Sequence, residues 1–150
     1  MPESRDALNR RFATLLLPAA RGYRRHLDRE LVGLGVSHSC ALAVMLLGRV
    51  ENGMRQGMLA EQLGIEGPSV VPLVDQIERA SLAERRPDPT DGRAKTIHLT
   101  ESGRALAARV EARSAEVRRA LLAQVDATEL AIAGKVLDQL QRALDAAGSD

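Results

Sequence analysis

Apolar residues recur at helical spacing near the start of the chain. Leu8, Phe12, Leu15, Leu16, Ala19, Tyr23 and Leu27 form one stripe, which predicts a long helix over residues 5–32. Pro18 lies inside the stripe and is expected to kink or loosen that helix. Gly33 and Gly35 close it. Ser37 suits the N-cap of a second helix, about 37–50, whose apolar content is Cys40, Leu42, Val44, Met45 and Leu47. Gly53 ends that unit. A short third helix is predicted from Met58 to Leu63, stopped by Gly64. After the turn Gly64-Ile65-Glu66-Gly67, Pro68 takes the first position of a fourth helix, where its missing N–H costs nothing. That helix runs to about Ala80. Residues 82–99 read as two short strands joined by a rigid, charged turn, with Pro87 and Pro89 fixing the backbone and Asp91-Gly92 turning it. Thr100 caps a long helix to about Val125, with Glu101 and Ser102 in its first turn. A last helix, about 127–146, carries Leu130, Val136, Leu137, Leu140 and Leu144. The tail from Gly148 to Asp150 is expected to fray.

A short helix, a tight glycine-containing turn and a second helix are the pattern of a helix-turn-helix, and the hairpin of residues 82–99 makes it a winged one. In the fourth helix Val70, Leu73, Val74 and Ile77 share one face. The complementary stripe is Ser69, Pro72, Gln76 and Arg79, free to enter a major groove. Ser69 and Gln76 suit base edges, Arg79 suits phosphate, and Val71 and Pro72 offer only apolar contact. Around the wing turn sit Arg85, Arg86, Arg93 and Lys95, basic groups placed for a phosphate backbone. By spacing alone, two core helices with a solvated polar face explain residues 57–80 equally well. The basic hairpin favours the DNA reading.

Composition adds bounds. Among 150 residues, 45% are apolar but only 1% aromatic, so the core must be aliphatic, which favours long packed helices. A domain so short of aromatics often gains burial by oligomerising. The net charge of +1 says nothing for nucleic acid, so the distribution of charge matters more than its sum. The single cysteine, Cys40, excludes an intramolecular disulfide and fits a reducing cytoplasm. It reads as a small core residue rather than an oxidant sensor, because no basic cluster surrounds it. The charged start is not expected to be a signal peptide, and no apolar run is long enough to predict a membrane span. His26, His38 and His98 lack metal-ligand spacing, so no metal or other cofactor is expected. No catalytic constellation is visible, and an enzyme is not expected. Asp126, Glu129 and Asp138 read as a solvated charge face.

The runs Leu59-Ala60-Glu61-Gln62-Leu63-Gly64-Ile65, Pro68-Ser69-Val70-Val71 and Leu73-Val74-Asp75-Gln76-Ile77-Glu78 resemble the helix-turn-helix of MarR-type transcriptional regulators. Glu84-Arg85-Arg86, Asp88-Pro89-Thr90-Asp91-Gly92-Arg93 and Leu99-Thr100-Glu101-Ser102-Gly103 resemble that family's wing and the helix after it. The resemblance implies a mainly α fold, a winged helix-turn-helix with a helical dimerisation region from both termini. Residues 1–36 and 124–146 would dimerise, 37–100 would form the winged unit, and 100–124 would connect them. It implies a homodimer on a pseudo-palindromic site in double-stranded DNA, usually a repressor, often released by a small phenolic or aromatic acid. Asp91 would orient Arg93 by a charge-assisted bond, and Arg93 would enter the minor groove. His38, at the start of the second helix, lies near where the family's effector pocket opens and with Arg21 or Arg25 could hold an effector carboxylate, while a solvated cap residue and solvated arginines are the simpler reading. The chain departs from the family pattern at Pro72 and Gln76, where basic residues are frequent, at Ser81, where glycine is common, and at Gly92. A helical dimeric interaction protein without specific DNA binding is the second reading that these departures leave open.

Overall fold

The computed structural model describes residues 2–148. Of the tail expected to fray, Gly148 to Asp150, residues 149 and 150 lie outside the described residues, and Gly148 is the C-cap of the last helix, its N–H donating to Leu144 O at 3.0 Å. Six helices and three strands follow in the order α1 (Arg5–Glu30), α2 (His38–Gly48), β1 (Met54–Arg55), α3 (Gln56–Leu63), α4 (Gly67–Arg79), β2 (Ala83–Pro87), β3 (Lys95–Leu99), α5 (Glu101–Leu121) and α6 (Ala127–Ala147). The mainly helical winged fold anticipated from the hydrophobic pattern is the fold observed. The chain divides into two compact units, one through Val117 and one from Arg118.

In the first unit, α2 is the central element, with Cys40 to Met45 and Leu47 buried. Ser37 caps it, its hydroxyl accepting from Cys40 N at 3.3 Å. Around it pack Leu59 and Leu63 of α3, Val70, Val74 and Ile77 of α4, Ile97 of β3, and Leu106, Val110 and Val117 of α5. The core is aliphatic throughout, and Cys40 is one of its small members. From α1 and its C-cap, Leu27 and Leu31 join this core, while Leu8, Phe12, Leu15, Leu17 and Tyr23 remain exposed. Pro18 is accommodated within one continuous helix.

The sheet order is β1-β3-β2, antiparallel throughout. The two-residue strand β1 was not anticipated. It is too short to show a period, and only its pairing of Met54 with Ile97 and Arg55 with Thr96 defines it. The chain runs from β1 straight into α3, which therefore begins at Gln56 rather than Met58.

α4 ends in a hydrogen-bonded cap: Ser81 N donates to Glu78 O at 2.9 Å and Leu82 N to Ile77 O at 3.1 Å. This geometry puts Ser81 in the left-handed region, at φ +58°. The base of the hairpin is tied to the same turn. Thr100 Oγ1 donates to Ser81 O at 2.7 Å and accepts from Gly103 N at 3.1 Å, capping α5 as expected. Gly103 is required here, since a Cβ on it would lie 1.9 Å from Leu82 O.

The second unit holds the end of α5, a turn and α6. α5 stops at Leu121, four residues before the predicted Val125, and Asp126 caps α6. Its carboxylate accepts from Thr128 N at 2.8 Å and Glu129 N at 3.2 Å. Asp126 is thus both exposed, as expected, and the cap of α6, and the backbone N–H bonds from Glu129 and Thr128 hold its pKa below the ordinary value. Leu130, Ile132, Val136, Leu137 and Leu144 are all exposed on α6, and no residue of that helix is buried.

Candidate nucleic-acid interface

α4 buries Val70, Val74 and Ile77 and leaves Ser69, Val71, Pro72, Gln76 and Arg79 exposed. The division follows from the 3.6-residue period of the apolar positions. Pro72 removes one i→i−4 donor but stays inside the helix, on its exposed side. The polar stripe read from the spacing therefore exists as one accessible face.

The wing stands beside this face because Arg85 joins the two. Its guanidinium reaches Asp75 Oδ1 at 2.7 Å and Glu78 Oε2 at 2.5 Å, both on α4. It also donates to Gln56 Oε1 at 3.3 Å and to Val71 O at 3.4 Å. With 21% of the side chain exposed, Arg85 is an internal clamp between β2 and α4. Arg85, expected at a phosphate, is held here by two carboxylates one helical turn apart on α4. The signal was present in the sequence as Asp75 and Glu78 at i, i+3, but their partner lies on another element.

Arg86 points to the opposite face of β2. It is exposed, pairs with Glu84 and faces His98 Nδ1 at 3.5 Å. Arg93 and Lys95 are exposed at the wing tip and at the start of β3. Between the strands, residues 88–94 form a loop closed by Asp88 N donating to Ala94 O at 3.1 Å. Asp88, not the Asp91-Gly92 pair alone, organises it. One oxygen of Asp88 accepts from Thr90 N and Thr90 Oγ1, both at 2.8 Å, and from Asp91 N at 3.2 Å. The other accepts from Arg55 Nε at 2.7 Å. The Arg55 hydrogen bond, then those from Thr90, hold the Asp88 carboxyl far below the usual carboxylate range. An aspartate two residues before a threonine is a local turn signature that could have been read from sequence. Its arginine partner, on β1, could not. Asp91 accepts from the backbone N–H of Arg93 at 3.0 Å, so its bond is to the amide rather than to the expected guanidinium.

The three groups placed at a possible effector carboxylate are not drawn together. Arg21 and Arg25 are exposed on α1. His38 Nε2 lies 3.6 Å from Asp28 Oδ2, and Arg24 Nε lies 3.3 Å from the other oxygen of that aspartate. An acidic group thus already occupies the side of His38 that faces α1.

The fold has parallels among solved structures. The transcriptional regulator PA3341 is 36% identical, with 89% of this chain and 98% of that one covered and a TM-score of 0.81. Residues 34–94 match the sequence model of the MarR family. The chain belongs to the MarR family. Two more distant structures share the MarR fold. MepR of S. aureus, solved in a complex with DNA, is 23% identical over 88% of this chain and 97% of that one, with a TM-score of 0.71. CouR of Rhodococcus jostii RHA1, solved with p-coumaroyl-CoA bound, is 24% identical over 87% and 88%, also with a TM-score of 0.71. MarR proteins are transcriptional regulators, and the winged helix-turn-helix seen here is their fold.

Proposed function

We propose that this protein is a cytoplasmic, homodimeric repressor that binds a pseudo-palindromic site in double-stranded DNA and is released by a small aromatic or phenolic acid. The observation that carries the DNA reading is the accessible face of α4, Ser69, Val71, Pro72, Gln76 and Arg79, held beside the wing by Arg85. Phosphate contacts fall to Arg79, Arg86, Arg93 and Lys95, with Arg93 reaching the minor groove. Gln76 reads a base, its amide matching the donor–acceptor pair on adenine. Residues 1–36 and 124–146 supply the dimerisation helices, 37–100 the winged unit and 100–124 the connection. The exposed apolar residues on α1 and on α6 support association of two copies. MepR in its DNA complex and CouR with its acyl-CoA ligand support the DNA partner and the small-molecule response by analogy of fold.

The test is a binding selection from randomised DNA with wild type and Gln76→Ala side by side. The variant is expected to relax preference at one position in each half-site, worth about 1–3 kcal/mol of discrimination, with its salt slope unchanged. The same motif at the same stringency from both would remove Gln76 as a base reader. A second reading has its own observation: Arg85 is consumed by Asp75 and Glu78, and Arg86 is paired with Glu84. Two of the wing's basic groups are thereby neutralised within the chain. On that reading the protein is a helical dimeric interaction module, and no sequence is enriched at all.

A further inference from the structure

Two consecutive residues at the start of α3 turn their side chains to the wing instead of to their own helix. Arg55 occupies the N-cap position of α3, and its side chain makes no capping bond. Arginine is a poor choice there, where Ser, Thr, Asp or Asn would satisfy a free N–H group. A local rule broken in this way points to a use elsewhere in the structure. Gln56, the next residue, accepts from the Arg85 guanidinium of β2 at 3.3 Å. Arg55 goes to the wing tip, donating from Nε to Asp88 Oδ2 at 2.7 Å and from Nη2 to Thr90 Oγ1 at 3.5 Å.

From Asp88 the hold passes along the loop to Arg93. The Asp88 side chain is only 7% exposed, and its carboxylate accepts from Thr90 N, Thr90 Oγ1 and Asp91 N as well as from Arg55. Asp91 in turn accepts from Arg93 N on its carboxylate and from Ala94 N on its carbonyl, both at 3.0 Å. These links place the backbone of Arg93 while its side chain stays exposed. Arg55 is the member of this relay that comes from outside the hairpin. Without it, the other bonds are internal to residues 88–94, and the loop can swing as a unit.

We propose that Arg55 is a positioning residue for DNA binding: it anchors the wing-tip loop to the start of α3 and so aims Arg93 at the minor groove. This role rests on the DNA reading above and adds to it a residue outside both the wing and the accessible face of α4. A narrow A·T-rich groove attracts an arginine that is held where it can enter. Arg55 therefore sets the preference for A·T pairs under the wing and leaves untouched the bases that α4 reads. Its own guanidinium, engaged by Asp88 and Thr90, makes no phosphate contact.

Affinity is measured on the site that selection with wild type recovers, carrying either A·T-rich or G·C-rich pairs where the wing lies. The ratio of the two affinities is the readout. Wild type is expected to favour A·T about tenfold, and Arg55→Ala to cut that ratio about threefold. A loss of folded protein alone would weaken both sites equally and leave the ratio unchanged. Arg55→Lys keeps the charge on a single ammonium and should give an intermediate ratio. Adding Arg55→Ala to Asp88→Asn or to Arg93→Ala should change the ratio no further. In the DNA-free protein, Arg55→Ala should lower the backbone order parameters of Thr90, Asp91 and Arg93 toward about 0.6, with Met54 and Ile97 kept near about 0.85. A wild-type ratio in Arg55→Ala, a further change in the Arg93→Ala background, or unchanged order in the loop would each overturn the positioning role alone. So would equal loss at both sites with a salt slope smaller by about one, the mark of a direct phosphate contact. Wild type that bound no DNA would overturn the DNA reading first, and the role of Arg55 only through it.

Discussion

Ser81 is a side chain in a glycine's place. Its positive φ is imposed by the two hydrogen bonds that close α4, and an L-residue there carries a cost of about 1–2 kcal/mol. Ser81→Gly is expected to raise stability by about 1 kcal/mol, read as a higher urea midpoint at unchanged slope. Its hydroxyl makes no bond in the cap, and the carbonyl that accepts from Thr100 is kept. Asp88 works in the other direction, as a residue whose charge the fold needs. Its pKa is lowered by Arg55 and Thr90, so ionised Asp88 favours the folded state at neutral pH. That contribution is present above the ordinary aspartate pKa of about 3.9 and is lost as pH falls through the depressed folded value. Asp88→Asn should therefore destabilise the protein at pH 7, with the gap to wild type closing as both are acidified. Denaturant titrations across that range check the sign: a gap that widened in acid would contradict it.

At the scale of elements, the clamp from β2 to α4 makes the hairpin and that helix one piece. Arg85→Ala strands Asp75 and Glu78 without their cation and is expected to cost about 1–3 kcal/mol. Arg85→Lys should recover little, because a single ammonium cannot reach both carboxylates and Gln56 as the guanidinium fork does. Urea unfolding of the two variants measures both effects, and full recovery by lysine would reduce the clamp to a simple charge effect. What could be read from the chain beforehand sorts on the same scale. The long helices, the helix-turn-helix and the two wing strands were legible, since each rests on local period, caps and turn residues. Ser37, Thr100 and Gly64 mark their boundaries by local chemistry alone. β1, the Arg55–Asp88 pair and the Arg85 clamp were not legible. Each is defined by a partner on another element, and nothing in the neighbouring sequence distinguishes Arg85, which is held, from Arg93, which is free to solvent. Basic residues near a turn are therefore a poor guide to which of them faces outward.

For the whole molecule, the unresolved account is apolar surface. Leu8, Phe12, Leu15 and Leu17 on α1, and Leu130, Ile132, Val136, Leu137 and Leu144 on α6, are left in water by a single chain. Helices so amphipathic are not independently comfortable in solvent, and a second copy is the proposed cover. Light scattering at micromolar concentration is expected to return twice the monomer mass of 16.2 kDa, and a monomer across that range would remove the dimeric repressor. In the dimer, two recognition helices would meet successive major grooves about 10 bp apart, which footprinting reports as a paired, symmetric protection.

The sheet order also sets a rule for synthesis on the ribosome. Met54 finds its partner only in Ile97, so α3 and α4 form a closed excursion whose two ends are knotted together by the last strand made. Until Leu99 has emerged, β1 lacks its partner strand, although Arg85 of β2 can already reach Asp75 and Glu78 of α4. A product truncated inside the wing would lack the strand that joins β1 to β2 and so closes the sheet.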